Sequence, residues 1–375
     1  MTKKGKNDLA TTPPLVEMEE IITNSSISKH NYPQFTSEEA KSILQKANIP
    51  IIEDNVNYWF VRTSGGENFE SFYFGNYIAI GWDKFNDLHE IQTMEHDTLR
   101  KQIEIVYPDD TKPGSTAAQI IKFVSGMKIG DYILIPGTNC DRIAFGRITS
   151  DAYIYELTEQ DKIDALYGEY EAEFLKRRDV EWLTSSPFSR SEIDPMLIPI
   201  IYSYGTIVDA NPYSAFINRT IYNLYYHNGE LHSIFNISKK QNIPVYEFYQ
   251  FIDNIFSAID DYNEISGFEI DKKELAIRAS LNSPGPVEII TAATAAFIFL
   301  SGLSLFLNGA KVNLTYNIFN IASGEIDVNS PGLLDKIQKI CNASTNNKVK
   351  LKETQDKLSK SKKNLEIIDT RKMKK

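Results

Sequence analysis

The chain contains little cysteine and little histidine for its length. There are 2 cysteines and 5 histidines in 375 residues. Cys140 and Cys341 lie about two hundred residues apart, so they form no disulfide framework. The histidines are scattered and show none of the spacings that hold zinc. We therefore predict no structural metal site and no cofactor.

The common motifs of catalysis and phosphate binding are missing as well. The sequence has no P-loop, no G-x-G-x-x-G after a strand and no G-x-S-x-G. His89 and His96 could share a helix face, but the carboxylates near them are typical of solvated charges. Glu269 to Lys272 is only faintly similar to a nuclease Glu-x-Lys pattern. We predict a protein that is not an enzyme, and a nuclease with an unrecognised site stays the least favoured alternative.

Positive charge is also scarce. The formal net charge is -10, which argues against a protein that binds polyanions over its whole surface. The first ten residues include lysines but no apolar segment of the kind found in secretory signals. We therefore expect no cleavable signal and a cytoplasmic start.

Composition shifts along the chain divide it into segments. Residues 56–63, 76–82, 131–136 and 142–148 are rich in aromatic and β-branched residues and are predicted strands. Helices are expected at 88–105, 115–125, 213–226 and 245–260. The predicted organisation is a flexible arm (1–50), a β-rich domain with inserted helices (51–185), an α+β middle domain (195–283), an apolar helix (286–309), a β-hairpin with a short helix (311–341) and a lysine-rich solvated tail (342–375).

The stretch from Val287 to Leu307 is the most apolar part of the chain. Its one charge, Glu288, lies at its edge. A helix of this length would measure roughly 30 Å, enough to cross the hydrocarbon core of a bilayer. Small and hydroxyl-bearing residues in it favour close approach between helices in a homo-oligomer. The residues expected to carry insertion or association are Thr291, Ala295, Phe299, Ser301, Gly302 and Leu305.

Four segments, taken in order, resemble the EVE-like branch of the PUA-like superfamily. They are Y-W-F-V-R-T-S-G-G (58–66), N-Y-I-A-I-G-W (76–82), F-V-S-G-M-K-I-G-D-Y-I-L-I-P (123–136) and I-A-F-G-R-I (143–148). The resemblance implies a compact β-barrel that binds nucleic acid, often with a flipped or modified base in an aromatic-walled pocket. It also implies a place in bacterial anti-phage systems. The expected fold class is then α+β: a PUA-like barrel with inserted helices, an α+β middle domain and one long apolar helix that enters the membrane.

A base gains about 1–3 kcal/mol by stacking on an aromatic face, while polar groups read its edge. Trp59 and Trp82 are the large flat candidates for such a pocket, although aromatics on strands also commonly fill a core. Arg62 could contact a phosphate or stack. The remaining candidates are Gly65 and Gly66 for close backbone approach, which could equally be tight-turn glycines, and Asn76 and Asn139 for edge hydrogen bonds.

The order of segments, a nucleic-acid reader domain followed by a middle domain and an apolar helix, resembles that of bacterial defence effectors that sense a nucleotide and permeabilise the inner membrane. It implies a non-enzymatic oligomeric pore or channel former, gated by a nucleotide or short oligonucleotide. The reader domain at 51–185 would lie in the cytoplasm. A nucleotidyltransferase encoded by a neighbouring gene is a possible partner that would make the signalling nucleotide. The alternative is a soluble cytoplasmic reader of modified or single-stranded nucleic acid, whose apolar helix forms an oligomer core.

Overall fold

Two curled sheets organise the chain into a mixed α/β architecture. The computed structural model describes residues 41–42, 44–45, 47–159, 161, 163, 174–266, 269–279, 285–308 and 345–368. All of these residues belong to one compact unit, Phe35–Lys375. The predicted arm at 1–50 lies largely outside the described residues, and the predicted hairpin and short helix at 311–341 lie entirely outside them.

Sheet I is built mainly from the first half of the chain, in the order β3-β7-β5-β4-β2-β9, with β6 on β7 and β8 on β5. β2 and β4 run parallel and the other neighbours are antiparallel. Its strands are β2 (Tyr58–Val61), β3 (Tyr77–Ile80), β4 (Tyr132–Pro136), β5 (Arg142–Ile148), β6 (Tyr153–Ile154), β7 (Lys176–Trp182), β8 (Phe188–Ser189) and β9 (Ile207–Asp209).

Sheet II has the order β1-β10-β11-β13-β12, with β14 on β11. β1 runs parallel to β10, and the other pairs are antiparallel. Its strands are β1 (Ile51–Ile52), β10 (Leu224–His227), β11 (Glu230–Ile237), β12 (Ala276–Ala279), β13 (Gly285–Thr291) and β14 (Ile367–Ile368).

Most of the helices pack against one of the two sheets. Helices α1 to α4 pack on sheet I, and α7, α8 and α9 pack on sheet II. Buried side chains from α5, α6 and both sheets form a third core cluster between them. The helices are α1 (Phe69–Gly75), α2 (Leu88–Thr93), α3 (His96–Val106), α4 (Pro113–Ile121, extended by a π-helical turn, Lys122–Gly126), α5 (Ile198–Ile201), α6 (Ser214–Ile221), α7 (Val245–Ser266), α8 (Thr294–Leu307) and α9 (Thr345–Asn364).

The fold class predicted from the sequence is wrong. Among the described residues, the edge strands of sheet I are β3 and β9, so this sheet is open and does not close into a barrel. The pairing also crosses the predicted division between 185 and 195. β9 pairs with β2, and β1 pairs with β10 of sheet II.

The prediction of a long membrane-spanning helix at 286–309 is also wrong. Residues 285–291 form β13 instead, because Val287, Ile289, Ile290 and Thr291 are β-branched and prefer the extended backbone. The helix begins only at Thr294 and is 14 residues long, about 21 Å. In the part of the chain that the structure describes, no helix has both the length and the apolar character that crossing a bilayer requires.

Helix α8 is an internal helix of this fold. Phe297 contacts the ring of Tyr226, and Phe299 contacts that of Tyr262, at centroid distances of 5.8 and 5.3 Å. The Ser304 hydroxyl donates to the carbonyl of Asn223. A helix that is apolar on every side is one that is buried on every side.

The lysine-rich tail contains ordered structure where we predicted a solvated segment. Helix α9 packs along α7, and β14 extends sheet II. Thr354, Leu358, Ser361 and Leu365 recur at helical spacing and are all buried, although lysines surround them in the sequence. The Thr354 hydroxyl donates to the buried carboxylate of Asp261.

Candidate ligand-binding pocket

An open cavity of about 410 Å³ lies beside Trp82, at the end of β3. One wall follows β3 and the other is the loop between α3 and α4. The lining residues are Trp82, Lys84, Val106, Tyr107, Pro108, Asp109, Asp110 and Thr116.

Trp82 has an unusual backbone conformation. Its φ is +61°, in the left-handed region that large side chains rarely adopt. Such strain persists only where the surroundings enforce it, and it occurs preferentially at functional sites. The indole is half-buried, so one part packs on the core while another part borders the cavity.

The neighbouring Asp83 and Lys176 hold Trp82 in this conformation. The Asp83 carboxylate accepts the backbone N–H groups of Phe174 and Leu175, which joins the loop after β3 to the start of β7. The Lys176 ammonium donates to the carbonyl of Trp82 (2.9 Å) and to Asp83 (3.2 Å). Burial lowers the pKa of Lys176, and the Asp83 carboxylate opposes that shift. The backbone at Trp82 is therefore held in place by the buried Lys176 ammonium and its partner, the Asp83 carboxylate.

Tyr107 is the second aromatic wall. Its hydroxyl accepts the backbone N–H of Lys84 (3.1 Å), and its ring lies 6.0 Å from that of Phe85. The Lys84 ammonium sits 5.3 Å from the centroid of the Tyr107 ring, a cation–π distance. The two walls are thus joined, and a cation is held at the rim.

The far edge of the cavity is acidic. Asp110 accepts the hydroxyl of Thr116 (2.6 Å) and the backbone N–H of Lys112 (2.7 Å), which fixes the loop before α4. The adjacent Asp109 is exposed. Carboxylates here can accept hydrogen bonds from N–H groups of a ligand, and an anionic group would be repelled from the same edge.

Trp59 lies apart from this cavity, in the core of sheet I. It is 8% exposed, and its indole N–H donates to Asp131 (2.8 Å). The same carboxylate accepts the backbone N–H groups of Asn57 and Lys128, so it organises the M-K-I-G-D turn. Trp59 is thus oriented by a structural hydrogen bond.

Arg62 and Asn76 make structural contacts away from the cavity. The Arg62 guanidinium donates to the carbonyls of Ile201 and Ser203, which ties β2 to the segment after α5. Asn76 ends α1 in the left-handed conformation (φ +57°), and its carbonyl accepts the N–H of Val180.

Gly65, Gly66 and Asn139 meet in a pair of facing turns, Ser64–Gly66 and Thr138–Cys140. A Cβ on Gly66 would lie 2.3 Å from the Cα of Thr138, whereas a Cβ on Gly65 would have nothing within 4 Å. Asn139 is exposed, with φ +52°. Of the seven predicted ligand-binding residues, the structure brings only Trp82 to the cavity.

The residues predicted for insertion into a membrane are distributed over two elements. Thr291 ends β13, and the others lie on α8. Phe299, Ser301 and Gly302 are buried within the chain, and Leu305 is half-buried; Ala295 lies in the first turn of α8.

Sequence reasoning missed most of the cavity wall. Lys84 lies two residues after Trp82 and could have been noticed, but Tyr107, Asp109 and Asp110 come from a loop that carries no motif. Among the described residues, no three His, Cys, Asp or Glu side chains are placed to hold a metal ion.

Comparison with known proteins relates part of the chain to a protein family. No curated protein matches the chain. Residues 59–197 match the model of a family described as a domain of unknown function, DUF8426. Every residue that lines the Trp82 cavity lies within that matched segment, so the chain is similar to this family over the part that carries the candidate site.

Proposed function

We propose that this protein binds a nucleobase at the Trp82 cavity, presented by a free nucleotide or by an unpaired position in a short single strand. The observation that carries the proposal is the strained, half-buried Trp82 that borders an open cavity also lined by Tyr107. Two aromatic walls suit a flat ring, and stacking on such a wall is worth about 1–3 kcal/mol for each base.

The polar groups support the same ligand class. Asp109 and Asp110 can accept the N–H groups of a base edge, and the Lys84 ammonium, which lies over the Tyr107 ring, can meet a phosphate or a ring oxygen. A long duplex fits poorly, because the chain carries a net charge of -10 and the cavity itself has an acidic edge.

The pore-forming role expected from the sequence is not part of this proposal. That role needed the helix at 286–309, and those residues form a strand and a short buried helix instead.

Fluorescence anisotropy tests the proposal directly. Labelled short single strands are titrated with the protein, and unlabelled nucleoside monophosphates and a duplex of the same sequence compete. We expect competition by single strands or by a mononucleotide, and little by the duplex. Trp82→Leu should weaken binding by about 5- to 150-fold, the equivalent of one lost stacking contact.

Phe74→Leu is the matched control. Phe74 is 74% exposed in the same half of the chain and lies outside the cavity, so this variant should bind like the wild type. Lys84→Gln should weaken the binding of a nucleoside monophosphate more than that of the nucleoside. A folded Trp82→Leu protein with unchanged affinity would refute the proposed site.

A further inference from the structure

A second, larger cavity of about 550 Å³ lies between the segment before α5 and the edge of sheet II. Its lining comes from both halves of the chain and shares no residue with the Trp82 cavity. The residues are Arg190, Ser191, Glu192, Ile193, Asp194, Pro195, Ile198, Arg219, Thr220, Asn236, Ile237, Ser238, Lys240, Gly285, Pro286 and Ile368.

Arg219 is a buried cation in the lining of this cavity. Its side chain is 4% exposed. Its Nε donates to Asp194, and its Nη1 lies 3.7 Å from Glu288, beyond hydrogen-bond distance. Within the described residues the guanidinium donates no other hydrogen bond, although it carries several further N–H groups in a rigid fork. Arg219 lines the cavity, so an anion there can accept hydrogen bonds from these N–H groups in addition to the ion pair that Arg219 makes with Asp194.

The charges around Arg219 leave a positive surplus at the rim. Asp194, which lines the cavity beside Arg219, and the buried Glu288 balance Arg219 and Arg278, whose Nη1 lies 3.5 Å from Glu288. The exposed charged residues of the lining, at the rim, are two cations, Arg190 and Lys240, and one carboxylate, Glu192.

The hydrogen bonds that Glu192 and Arg190 make to a backbone N–H and to a hydroxyl do not neutralise this positive surplus. The Glu192 carboxylate already accepts the backbone N–H of Ser189 (2.7 Å), and Arg190 donates to the neutral hydroxyl of Tyr202 (2.8 Å). A ligand with negative charge therefore complements this end of the cavity.

The remaining wall is apolar. Ile193, Ile198, Ile237, Pro286 and Ile368 line it, and the first four are buried or half-buried. A cavity with a few placed polar groups in an apolar wall is the usual form of a small-molecule site.

We propose that this cavity binds a small amphiphilic anion, with a carboxylate or phosphate-monoester head on Arg219 and an apolar body along the isoleucine wall. The guanidinium fork matches both heads, each of which offers two oxygens in one plane. This site is independent of nucleobase binding at Trp82, since the two cavities have no residue in common.

Isothermal titration calorimetry with four probes tests the inference. The probes are octanoate, octyl phosphate, octan-1-ol and inorganic phosphate. Octanoate or octyl phosphate should bind at least about tenfold more tightly than octan-1-ol and than inorganic phosphate, because only they supply both the charged head and the apolar body. The ratio of the two anions identifies the preferred head. Equal binding of octan-1-ol, or no binding of either anion, would overturn the proposal.

Two lining variants, one at the rim and one on the apolar wall, locate the site and leave Arg219 and Asp194 unchanged. Lys240→Glu should weaken the binding of the preferred anion several-fold, and Ile198→Trp should weaken it by filling the cavity. Lys101→Glu, the same charge change at an exposed position outside the lining, is the control and should bind like the wild type. If Lys240→Glu and Ile198→Trp both fold and bind the anion like the wild type, the anion binds elsewhere.

Discussion

At the residue scale, the adjacent glycines 65 and 66 have different requirements. Both have positive φ, but only Gly66 faces the backbone of Thr138 at a distance that excludes a Cβ. Gly66→Ala should lower the free energy of unfolding by more than about 2 kcal/mol, since strain and a clash combine. Gly65→Ala should cost about 1 kcal/mol, from the left-handed backbone alone. Urea denaturation of both variants measures the difference, and equal losses would contradict the close approach of the two turns.

Glu288 is the most enclosed carboxylate of sheet II. It is fully buried, its Oε1 lies 2.7 Å from Nδ1 of His232, and it accepts the hydroxyl of Tyr225 at 3.3 Å. Burial alone would raise the pKa of Glu288. The hydrogen bond and charge of His232, followed by Arg278 and Arg219, outweigh burial, so the pKa lies below its usual 4.5.

This lowered pKa gives a pH dependence of known sign. A carboxylate with a lower pKa in the folded state stabilises the fold above its unfolded pKa, and that contribution disappears as the pH falls through the folded pKa. Glu288→Gln should therefore destabilise the protein by about 3 kcal/mol at pH 7, because it removes the negative partner of His232, Arg278 and the buried Arg219. The difference from wild type should shrink as the pH falls below 4.5. Urea denaturation across this range measures it, with Glu181→Gln, at an exposed position, as the control.

The residue scale also shows where sequence reasoning reaches its limit. Trp59 and Trp82 both lie in segments predicted as strands and were equal candidates for a pocket. What separates them is a hydrogen bond to Asp131, 72 residues away, and a left-handed backbone held by Lys176. Neither is visible in the local pattern, because both depend on which strands pair.

At the scale of elements, local patterns were informative where strands are short and aromatic. The segments predicted at 131–136 and 142–148 agree with β4 and β5. The helix predicted at 88–105 is two helices, since Met94 and Glu95 adopt extended backbone. The apolar segment at 287–307 misled because hydropathy and length are shared by a spanning helix and by a buried strand followed by a buried helix. Only the β-branched residues at its start favoured a strand followed by a shorter helix.

Helix α9 provides an element-scale prediction. Leu358 is fully buried against the fold, whereas Val349 on the same helix is 53% exposed. Leu358→Ala should cost about 3 kcal/mol of unfolding free energy, as large-to-small changes in a core do. Val349→Ala should cost less than about 1 kcal/mol. If urea denaturation gave equal, small losses, the segment would behave as the solvated tail that its lysines suggested.

At the scale of the whole molecule, the two halves of the chain are joined through paired strands and tyrosine hydrogen bonds. The Tyr58 hydroxyl donates to the side chain of Asn218, and the hydroxyls of Tyr132 and Tyr222 lie 3.1 Å apart. In addition, β9 from the second half of the chain pairs in sheet I, and β1 from the first half pairs in sheet II. These contacts bury a common core. Composition marked a boundary near 185 because a polar loop lies there, but a loop in sequence need not separate two cores.

A cut at that loop tests this joint core. A protease site inserted between Ser185 and Ser186, which are both exposed, allows the backbone to be cleaved with both halves still present. We expect the cleaved halves to elute together on size exclusion and to separate only in urea, because each half completes the other's sheet. The 1–185 piece prepared alone should lack a cooperative unfolding transition, since β2 has lost β9 and the shared tyrosines have lost their partners. Halves that separate in buffer, with a 1–185 piece that unfolds cooperatively, would show that this segment is an independent domain.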